Sequence, residues 1–284
     1  MSRVTFVGAG LIGSAFAEAE QRRGHDVCVW NRSPEKLEAL RSKGLRTTAD
    51  LADAVRGADR VHLALSADEA VDAVIDVLLR LDAVTVPVVD HSTTSPVGTA
   101  ARALRMQTAG ISFFHAPVFM SPKACREGTG CMVGAGPEAV AGVLAPVLAA
   151  MTTDYWYLGA KSDAAAVMKL FGNAILIGIS GAMADAFAVA KSGEMPSEQA
   201  FELFSHFDFA PSMKARGARM AAGDFATSFA LAMARKDVGL MLGAASALPL
   251  GVLPGIAVRM DTLIGDGDGA ADLAILARES CKRL

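Results

Sequence analysis

The sequence predicts an α/β fold in which residues 1–161 form a doubly wound parallel sheet and residues 162–284 form an all-helical domain. Three observations support this prediction. In the first part, short β-rich runs alternate with helical patterns, and the runs are continuously apolar, as is typical of strands that helices cover on both faces. From about Ser162 onward no strand pattern recurs. With 284 residues, 52% of them hydrophobic, the chain is long enough to bury a large core and to divide in two.

The elements follow one another in a regular order. Strands are predicted for VTFVG, DVCVW, RVHLAL, TVPVVD and ISFFHAPV, and then for TGCMVG and DYWYLG. Helices are predicted between them, at LIGSAFAEAEQRRG, PEKLEALRSKG, DEAVDAVIDVLLRL and PEAVAGVLAPVLAAM. In the second part, helix ends are expected at SGEMPSEQ, GDFATS, PLGVLPG and GDGDGA.

Composition excludes several classes of partner. The net charge is -3 and no run of Lys or Arg occurs, so binding to nucleic acid or to an anionic membrane is not expected. The four cysteines show no C-x-x-C spacing, which argues against a metal site and favours reduced thiols in the cytoplasm. The uncharged stretch from Leu170 to Ala184 is shorter than the ~20 residues of a membrane span. It predicts a buried helix.

A glycine pattern at the start of the chain admits two interpretations. The apolar run and the small residues of SAFAEAE imitate a secretory signal peptide. Gly8, Gly10 and Gly13 match G-x-G-x-x-G, with Leu11 and Ile12 at the start of the following helix. This motif lies between a predicted strand and a predicted helix, the context of a phosphate-binding turn in a Rossmann-type dinucleotide-binding domain. We favour the second interpretation, because removal of the stretch would remove the first strand of the sheet.

The residues that end the second strand indicate which dinucleotide is held. NAD sites usually carry Asp or Glu there, to bond the ribose 2′-hydroxyl. Here the strand DVCVW is followed by Asn31, Arg32 and Ser33. A guanidinium can bind a 2′-phosphate with two hydrogen bonds, and the neighbouring amide and hydroxyl can add others. The sequence therefore predicts NADPH in preference to NADH, although Arg32 could also be a solvated loop residue.

Three further stretches carry a family resemblance. They read VVDHSTTSPVG, FFHAPVFMSPKACREGTGCMVGAGPEA and LGAKSDAAAVMKLFGNAI. In order and separation they resemble the β-hydroxyacid dehydrogenase superfamily, in particular its 3-hydroxyisobutyrate dehydrogenases and its glyoxylate or succinic semialdehyde reductases. The resemblance extends through PSMKARGARMAAGDFATSFALAMARKDVGLMLGAA. It implies two domains joined by a long interdomain helix, hydride transfer between nicotinamide and a small carbonyl or hydroxy compound, and a homodimer.

The catalytic lysine of that family falls on Lys169, and its accompanying asparagine falls on Asn173. The residues themselves support this pairing, because side chains four positions apart project from one face of a helix. An ammonium at Lys169 could donate a proton to the carbonyl oxygen while Asn173 holds the lysine or the substrate. A lysine that extends from a helix end into solvent is the plainer alternative.

The resemblance implies further contacts. Leu65, Ser66, Ser92 and Thr93 lie in loops that follow strands and are expected beside the cofactor. Lys236 matches a family lysine near both cofactor and substrate, although by itself the pair Lys236–Asp237 is typical of a solvated helix face. No role is assigned to the histidines at positions 91 and 115, because a histidine beside a strand is more often packed than catalytic.

One departure from the family concerns the substrate. Where members usually read APVSGG, this chain reads Ala116, Pro117, Val118, Phe119, Met120 and Ser121. Phe119 and Met120 remove a hydroxyl and a glycine that would present hydrogen-bonding groups to a substrate carboxylate. They are therefore expected to narrow the pocket and to disfavour the usual 3-hydroxyacids, unless Ser121 substitutes for the missing serine.

These observations predict an NADPH-dependent oxidoreductase of the β-hydroxyacid dehydrogenase type. Two alternatives stay open. Imine reductases share the architecture and the Asn-Arg cofactor signal, but usually carry aspartate or tyrosine at the position of Lys169. A non-catalytic interaction protein on the same scaffold would be expected to have lost the lysine.

Overall fold

The computed structural model describes residues 1–81 and 85–281. The chain divides into two compact units, Met1–Asn173 and Ala174–Leu284. The domain boundary inferred from the sequence, between residues 161 and 162, stays a prediction.

The first unit is built on a parallel sheet of six strands in the order β3-β2-β1-β4-β5-β6. The strands are β1 Arg3–Val7, β2 Asp26–Trp30, β3 Arg46–Thr48, β4 Arg60–Leu63, β5 Val88–Asp90 and β6 Phe113–His115. The doubly wound parallel sheet is thus confirmed. Because the strand order reverses between β1 and β4, the carboxyl ends of these two strands form the crevice where such sheets hold ligands.

A second, three-stranded sheet follows in the same unit. It contains β7 Val118–Phe119, β8 Cys131–Gly134 and β9 Asp154–Tyr157, with β7 antiparallel and β9 parallel to β8. The predicted strand ISFFHAPV is therefore wrong as a single element, because it divides into β6 and β7 of different sheets. Pro117, which has no N–H group to donate to a ladder, lies between them.

The helices of the first unit lie between the strands, as predicted. They are α1 Leu11–Arg22, α2 Glu35–Arg41, α3 Leu51–Val55, α4 Asp68–Leu78, α5 Pro96–Thr108, α6 Pro122–Glu127 and α7 Glu138–Ala150. The 29-residue helix α8 Ala164–Ser192 comes next. The sequence patterns missed β3, α3 and α6, which are three to six residues long, and also the 13-residue helix α5.

The second unit is helical, as predicted. It contains α9 Ser197–Phe201, α10 Leu203–His206, α11 Ala210–Ala222, α12 Leu231–Ala244 and α13 Leu253–Gly265, followed by two short 3-10 turns, Asp268–Ala270 and Leu273–Ala277. Its core includes Leu231 and Leu263. Asp185 on α8 accepts hydrogen bonds from the backbone N–H groups of Gly251, Val252 and Leu253. These bonds satisfy orphan donors at the start of α13 and lower the pKa of Asp185.

The prediction that Leu170–Ala184 forms a buried helix is half wrong. The stretch is helical, but within the chain only 6% of the most apolar part of α8 is buried. By length and apolar composition alone α8 could span a membrane. An apolar sequence pattern indicates that a helix is buried against another surface. It does not indicate whether that surface belongs to the same chain.

Two histidines lie in the core between the sheet and α1. His62 on β4 is fully buried and stacks on Phe6, while His91, which follows β5, is 5% exposed and contacts Phe16. Burial lowers the pKa of His62 well below its usual range. Burial also lowers the pKa of His91, to about 4, although its hydrogen bond to Ala116 and the charge of Asp90 act in the opposite direction. Both rings are therefore neutral in the folded protein near pH 7.

These depressed values predict acid destabilisation. The unfolded chain protonates His91 near pH 6.5, whereas the folded protein does so only near pH 4. Below pH 6.5 the unfolded state therefore binds more protons, and stability that is present above pH 6.5 is lost as the pH falls toward 4. Each such group contributes a slope of up to about 1.4 kcal/mol per pH unit.

Urea unfolding at pH 7.5, 6.5, 5.5 and 5.0 checks this expectation. A variant with both His62→Gln and His91→Gln should show a flatter profile than the unmodified protein, from a lower starting stability. The exposed His206→Gln variant is the control and should keep the original slope. Equal slopes in all three proteins would contradict the assignment.

Candidate active site

The turn between β1 and α1 is closed by glycine. Gly8 has φ +114°, and a Cβ atom on it would lie 2.3 Å from the carbonyl oxygen of Ala64. A Cβ atom on Gly13 would lie 2.0 Å from the carbonyl oxygen of Gly8. Side chains are thus excluded at both positions. The tight turn expected at Gly8 and the close helix–strand packing expected at Gly13 are both present.

The start of α1 is free to meet an anion. Gly10 precedes the helix and provides no side-chain cap for its first N–H groups. A Cβ atom on Gly10 would meet nothing within 4 Å, so a ligand can approach the backbone there. Unpaired N–H groups at a helix N-terminus favour phosphate. The cradle therefore fits the pyrophosphate of a dinucleotide.

A first cavity of about 640 Å³ extends from this turn along the ends of β1, β2 and β4. Asn31 organises its wall, because its Oδ1 accepts the N–H of Ala9 at 3.1 Å and its Nδ2 donates to the carbonyl oxygen of Ser33 at 2.9 Å. The lining also includes Gly8, Gly10, Trp30, Arg32, Ser33, Lys36, Leu65, Ser66 and Val74. The predicted residues of the second strand end thus lie on one wall with the glycine turn.

The rim of the first cavity is cationic. Arg32 and Lys36 line it, and within residues 1–81 and 85–281 neither side chain forms an ion pair. Asp50 also lines the cavity, but its carboxylate accepts the N–H groups of Ala52 and Asp53 at the start of α3. Lys36 is a cavity residue that the sequence motifs did not predict. Its position in the first turn of α2, four residues after Arg32, was a signal for a second cation beside this strand end.

A second cavity of about 360 Å³ lies on the other side of the glycine turn. Ser92 joins two of the loops that border it, because its Oγ accepts the N–H of Leu65 at 2.9 Å while its own N–H donates to Asp90 at 2.9 Å. The lining residues are Gly10, Leu11, Ile12, Ala64, Leu65, Ser66, His91, Ser92, Thr93, Val118, Met120 and Lys169. The structure therefore brings most of the predicted cofactor residues and the predicted catalytic lysine to one cavity.

Lys169 projects from α8 and is hydrogen-bonded within that helix. Its Nζ donates to Oδ1 of Asn173 at 2.9 Å, as expected for residues one helical turn apart. The side chain is part-buried, and this burial lowers the pKa of Lys169. Among the described residues no carboxylate forms an ion pair with Lys169. A lysine in such surroundings releases its proton more readily than a solvated one.

Phe119 lies against the lysine. The Nζ of Lys169 is 4.3 Å from the centroid of the Phe119 ring, within the range of a cation–π contact. The ring also rests on α8 at Gly172, where a Cβ atom would lie 2.4 Å from two ring carbons. Phe119 and Gly172 are therefore matched in size, and any side chain at position 172 would displace the ring that covers Lys169.

Residues 3–159, more than half of the chain, match the family described as the NAD binding domain of 6-phosphogluconate dehydrogenase. The chain belongs to the β-hydroxyacid dehydrogenase superfamily. It is an NAD(P)-dependent oxidoreductase.

Relatives of this oxidoreductase cover most of its length. Glyoxylate/succinic semialdehyde reductase 2 of Arabidopsis thaliana is 27% identical over 252 residues, which is 86% of this chain and 69% of that protein. The 3-sulfolactaldehyde reductase of Escherichia coli (strain K12) is 26% identical over 275 residues, which is 91% of this chain and 88% of that protein. The fold is also that of an imine reductase from Myxococcus stipitatus in complex with NADP+, with a TM-score of 0.87, 21% identity and coverage of 97% and 99%.

Two predicted site residues of the oxidoreductase have other partners. The Oγ of Ser121 accepts the N–H of Ala124 at 3.1 Å and so caps α6. Lys236 lies on α12 in the second unit, where its Nζ is 2.8 Å from Asp237 and its side chain is 56% exposed. The roles assigned to Ser121 and Lys236 stay predictions.

Proposed function

We propose that this oxidoreductase uses NADPH to reduce an aldehyde or ketone that carries no carboxylate. The observation that carries the proposal is the position of Lys169, which is hydrogen-bonded to Asn173 and lines the cavity that also contains Gly10 and Ser92. A proton donor thus lies beside the place where a dinucleotide would present its nicotinamide.

Lys169 and Asn173 have different roles in the proposed reaction. When bound, the nicotinamide supplies or accepts the hydride at the carbonyl carbon. Lys169 Nζ donates a proton to the carbonyl oxygen as charge develops there, which leaves a hydroxyl group and a neutral amine. In the opposite direction the neutral amine accepts the hydroxyl proton. Asn173 Oδ1 fixes the amine by accepting one of its N–H groups, and burial brings the pKa of Lys169 down from its ordinary value, which suits both roles.

The preference for NADPH rests on the rim of the first cavity. A ribose 2′-phosphate there would face Arg32, Ser33 and Lys36. Both cations are without an ion-pair partner in the described chain, so they would bind the phosphate without first breaking an internal contact. The residue after the second strand is Asn31 rather than a carboxylate, and its side chain is occupied by backbone groups.

The substrate preference rests on the segment 116–121. Met120 and Val118 line the second cavity, and Phe119 covers Lys169. Ser121, the hydroxyl nearest in sequence to the missing serine, caps α6. A substrate carboxylate would therefore meet apolar side chains in place of hydrogen-bond donors, which disfavours it. We infer that larger and less polar aldehydes or ketones are preferred to glyoxylate and succinic semialdehyde.

The exposed apolar surface of the second unit is covered by a second copy of the chain in a homodimer. Large apolar side chains are exposed there at Ile175, Leu176, Ile177, Met183, Phe201, Phe204, Phe207 and Phe209. Asp185 is held as a carboxylate on the same helix, which argues against insertion in lipid. Sedimentation equilibrium should give the mass of two chains.

The four cysteines are free, which supports a reducing, cytoplasmic location.

A panel of substrates tests the proposal. NADPH oxidation is measured with aldehydes, ketones, 2- and 3-oxoacids and cyclic imines. Turnover of apolar carbonyl compounds supports the proposal. Turnover of cyclic imines alone would replace it with an imine reductase, and NADPH binding without any turnover would indicate a non-catalytic protein on the same scaffold.

Replacement of Arg32 by Ala should weaken NADPH binding by roughly tenfold to a hundredfold, because a charge-assisted contact of about 1.5 to 3 kcal/mol is lost. The dissociation constant of NADH should change little. Fluorescence titration with both nucleotides measures the two effects. Arg41→Ala, at the last residue of α2 and outside the cavity, is the matched control. Equal losses for NADPH and NADH would assign Arg32 to the fold.

Replacement of Lys169 by Ala should lower kcat by ~100-fold or more, since proton donation acts in the transition state. NADPH binding should stay within a few-fold of the original. The exposed Lys161→Ala variant, which precedes α8, serves as the control for removal of one positive charge. If Lys169→Ala retained most of the turnover, the lysine would have no part in the chemistry.

The double variant Phe119→Ser with Met120→Gly should raise kcat/KM for succinic semialdehyde by roughly tenfold to a hundredfold, because it restores hydrogen-bond donors for a carboxylate. The same variant should lose efficiency with apolar ketones. Stability is checked by thermal unfolding, so that a loss on both substrates can be separated from misfolding. Efficient use of succinic semialdehyde by the unmodified protein would overturn this account of the loop.

A further inference from the structure

A row of buried polar side chains connects α1 with the start of the segment 116–121. Glu20 accepts a hydrogen bond from the guanidinium of Arg60 at 2.5 Å. The Nε of Arg60 lies 3.1 Å from Nε2 of His62, and Nδ1 of His62 lies 2.8 Å from Nε2 of His91. Finally, Nδ1 of His91 lies 2.7 Å from the carbonyl oxygen of Ala116. None of these side chains is more than 9% exposed.

The chemistry of the groups fixes the direction of every bond in the row. A guanidinium carries only donors, so Nε2 of His62 must accept. Nδ1 of His62 then carries the hydrogen and donates to Nε2 of His91. Nδ1 of His91 in turn carries its hydrogen and donates to the carbonyl oxygen of Ala116. Both rings are neutral and both use their two nitrogens, so Arg60 selects the tautomer of His91 through His62.

The row ends at Ala116, the first residue of the segment 116–121. The N–H of Ala116 donates to the carbonyl oxygen of Asp90 at 2.7 Å, and its own carbonyl accepts from His91. Both backbone groups of this fully buried residue are thus bound to consecutive residues, the last residue of β5 and the one that follows it. Two and four residues farther on, Val118 and Met120 line the second cavity. The next residue after His91 is Ser92, which borders the same cavity.

We propose that His91 is a positioning residue that places the segment 116–121 for the substrate, and that His62 and Arg60 serve to keep its Nδ1 protonated. The proposal rests on the proposed function for its kinetic readout. It adds a determinant of substrate binding that acts through the backbone of Ala116 and not by proton transfer, although the ring of His91 also lines the second cavity.

Two amide substitutions separate the two bonds of His91. In His91→Asn the side-chain nitrogen can occupy the place of Nδ1, so the bond to Ala116 can be kept while the acceptor for His62 is lost. In His91→Gln the longer amide can reach the place of Nε2, so the acceptor for His62 is kept while the bond to Ala116 is lost. Each variant gives up one buried hydrogen bond, and comparable losses of stability are expected.

The kinetic test uses the best apolar carbonyl substrate of the panel. His91→Gln should raise its KM by roughly tenfold, with kcat and the dissociation constant of NADPH within about threefold. His91→Asn should keep a KM close to that of the unmodified protein despite its lower stability. Equal changes of KM in both variants, or no change in either, would overturn the proposal, because a merely structural histidine does not distinguish the two bonds.

Hydrogen–deuterium exchange gives a readout that does not depend on turnover. Peptides covering residues 116–121 should exchange faster in His91→Gln than in His91→Asn, and unchanged exchange in both would overturn the proposal. If no carbonyl compound is reduced, the proposed function fails while the exchange result still decides the role of His91. If His91→Gln does not fold, His62→Leu replaces it. By removing the donor that fixes the tautomer, it should raise both KM and exchange, and an unchanged result would count against the proposal.

Discussion

The close approach of α1 to the carboxyl ends of β1 and β4 is the constraint on which the rest of the first unit depends. It is possible only because Gly8 and Gly13 have no side chains: the Cβ atoms that would be added lie 2.3 Å and 2.0 Å from carbonyl oxygens. This contact places the unpaired N–H groups of α1 at the point where the strand order reverses. Asn31 and Ser92 then fasten the neighbouring strand-end loops to it. The cradle for the dinucleotide is thus made of backbone, and side chains are left to select which dinucleotide and which substrate enter.

The sequence predicted those parts of the fold whose signals are local. Apolar runs indicated the parallel strands, and the spacing of Lys169 and Asn173 placed both on one helix face. Strand β3 was missed because the run Arg46–Thr48 contains no apolar residue and lies at the edge of the sheet. The division of ISFFHAPV was missed because a change of sheet leaves no mark in hydrophobicity. The exposure of α8 was missed because an apolar stretch indicates burial but does not show whether the burying surface belongs to the same chain.

The buried row from Glu20 to Ala116 shows a further limit of sequence reasoning. His62 and His91 are 29 positions apart, and Arg60 is 40 positions from Glu20. They meet only because β4 pairs with both β1 and β5. A histidine beside a strand was correctly expected to be packed, but the pattern could not show that its ring holds a loop that lines a cavity. Such a row has to satisfy all its members, because one unpaired polar group in the interior costs more than a bond contributes.

The surroundings of Lys169 reconcile an unusual substrate loop with the chemistry of the family. Two effects act on the charge of the Lys169 amine in opposite directions. Burial disfavours the charged form, whereas the face of the Phe119 ring favours the charged form. No carboxylate in the described chain forms an ion pair with it, so its proton is not bound in advance by a counter-ion and can follow the charge that develops on a carbonyl oxygen. Phe119 can occupy this place only because position 172 is glycine. In the proposed reaction the proton donor lies on α8, whereas the rest of the substrate would be recognised by the segment 116–121. That segment can therefore exchange a polar surface for an apolar one while the lysine, its asparagine and the dinucleotide cradle stay in place.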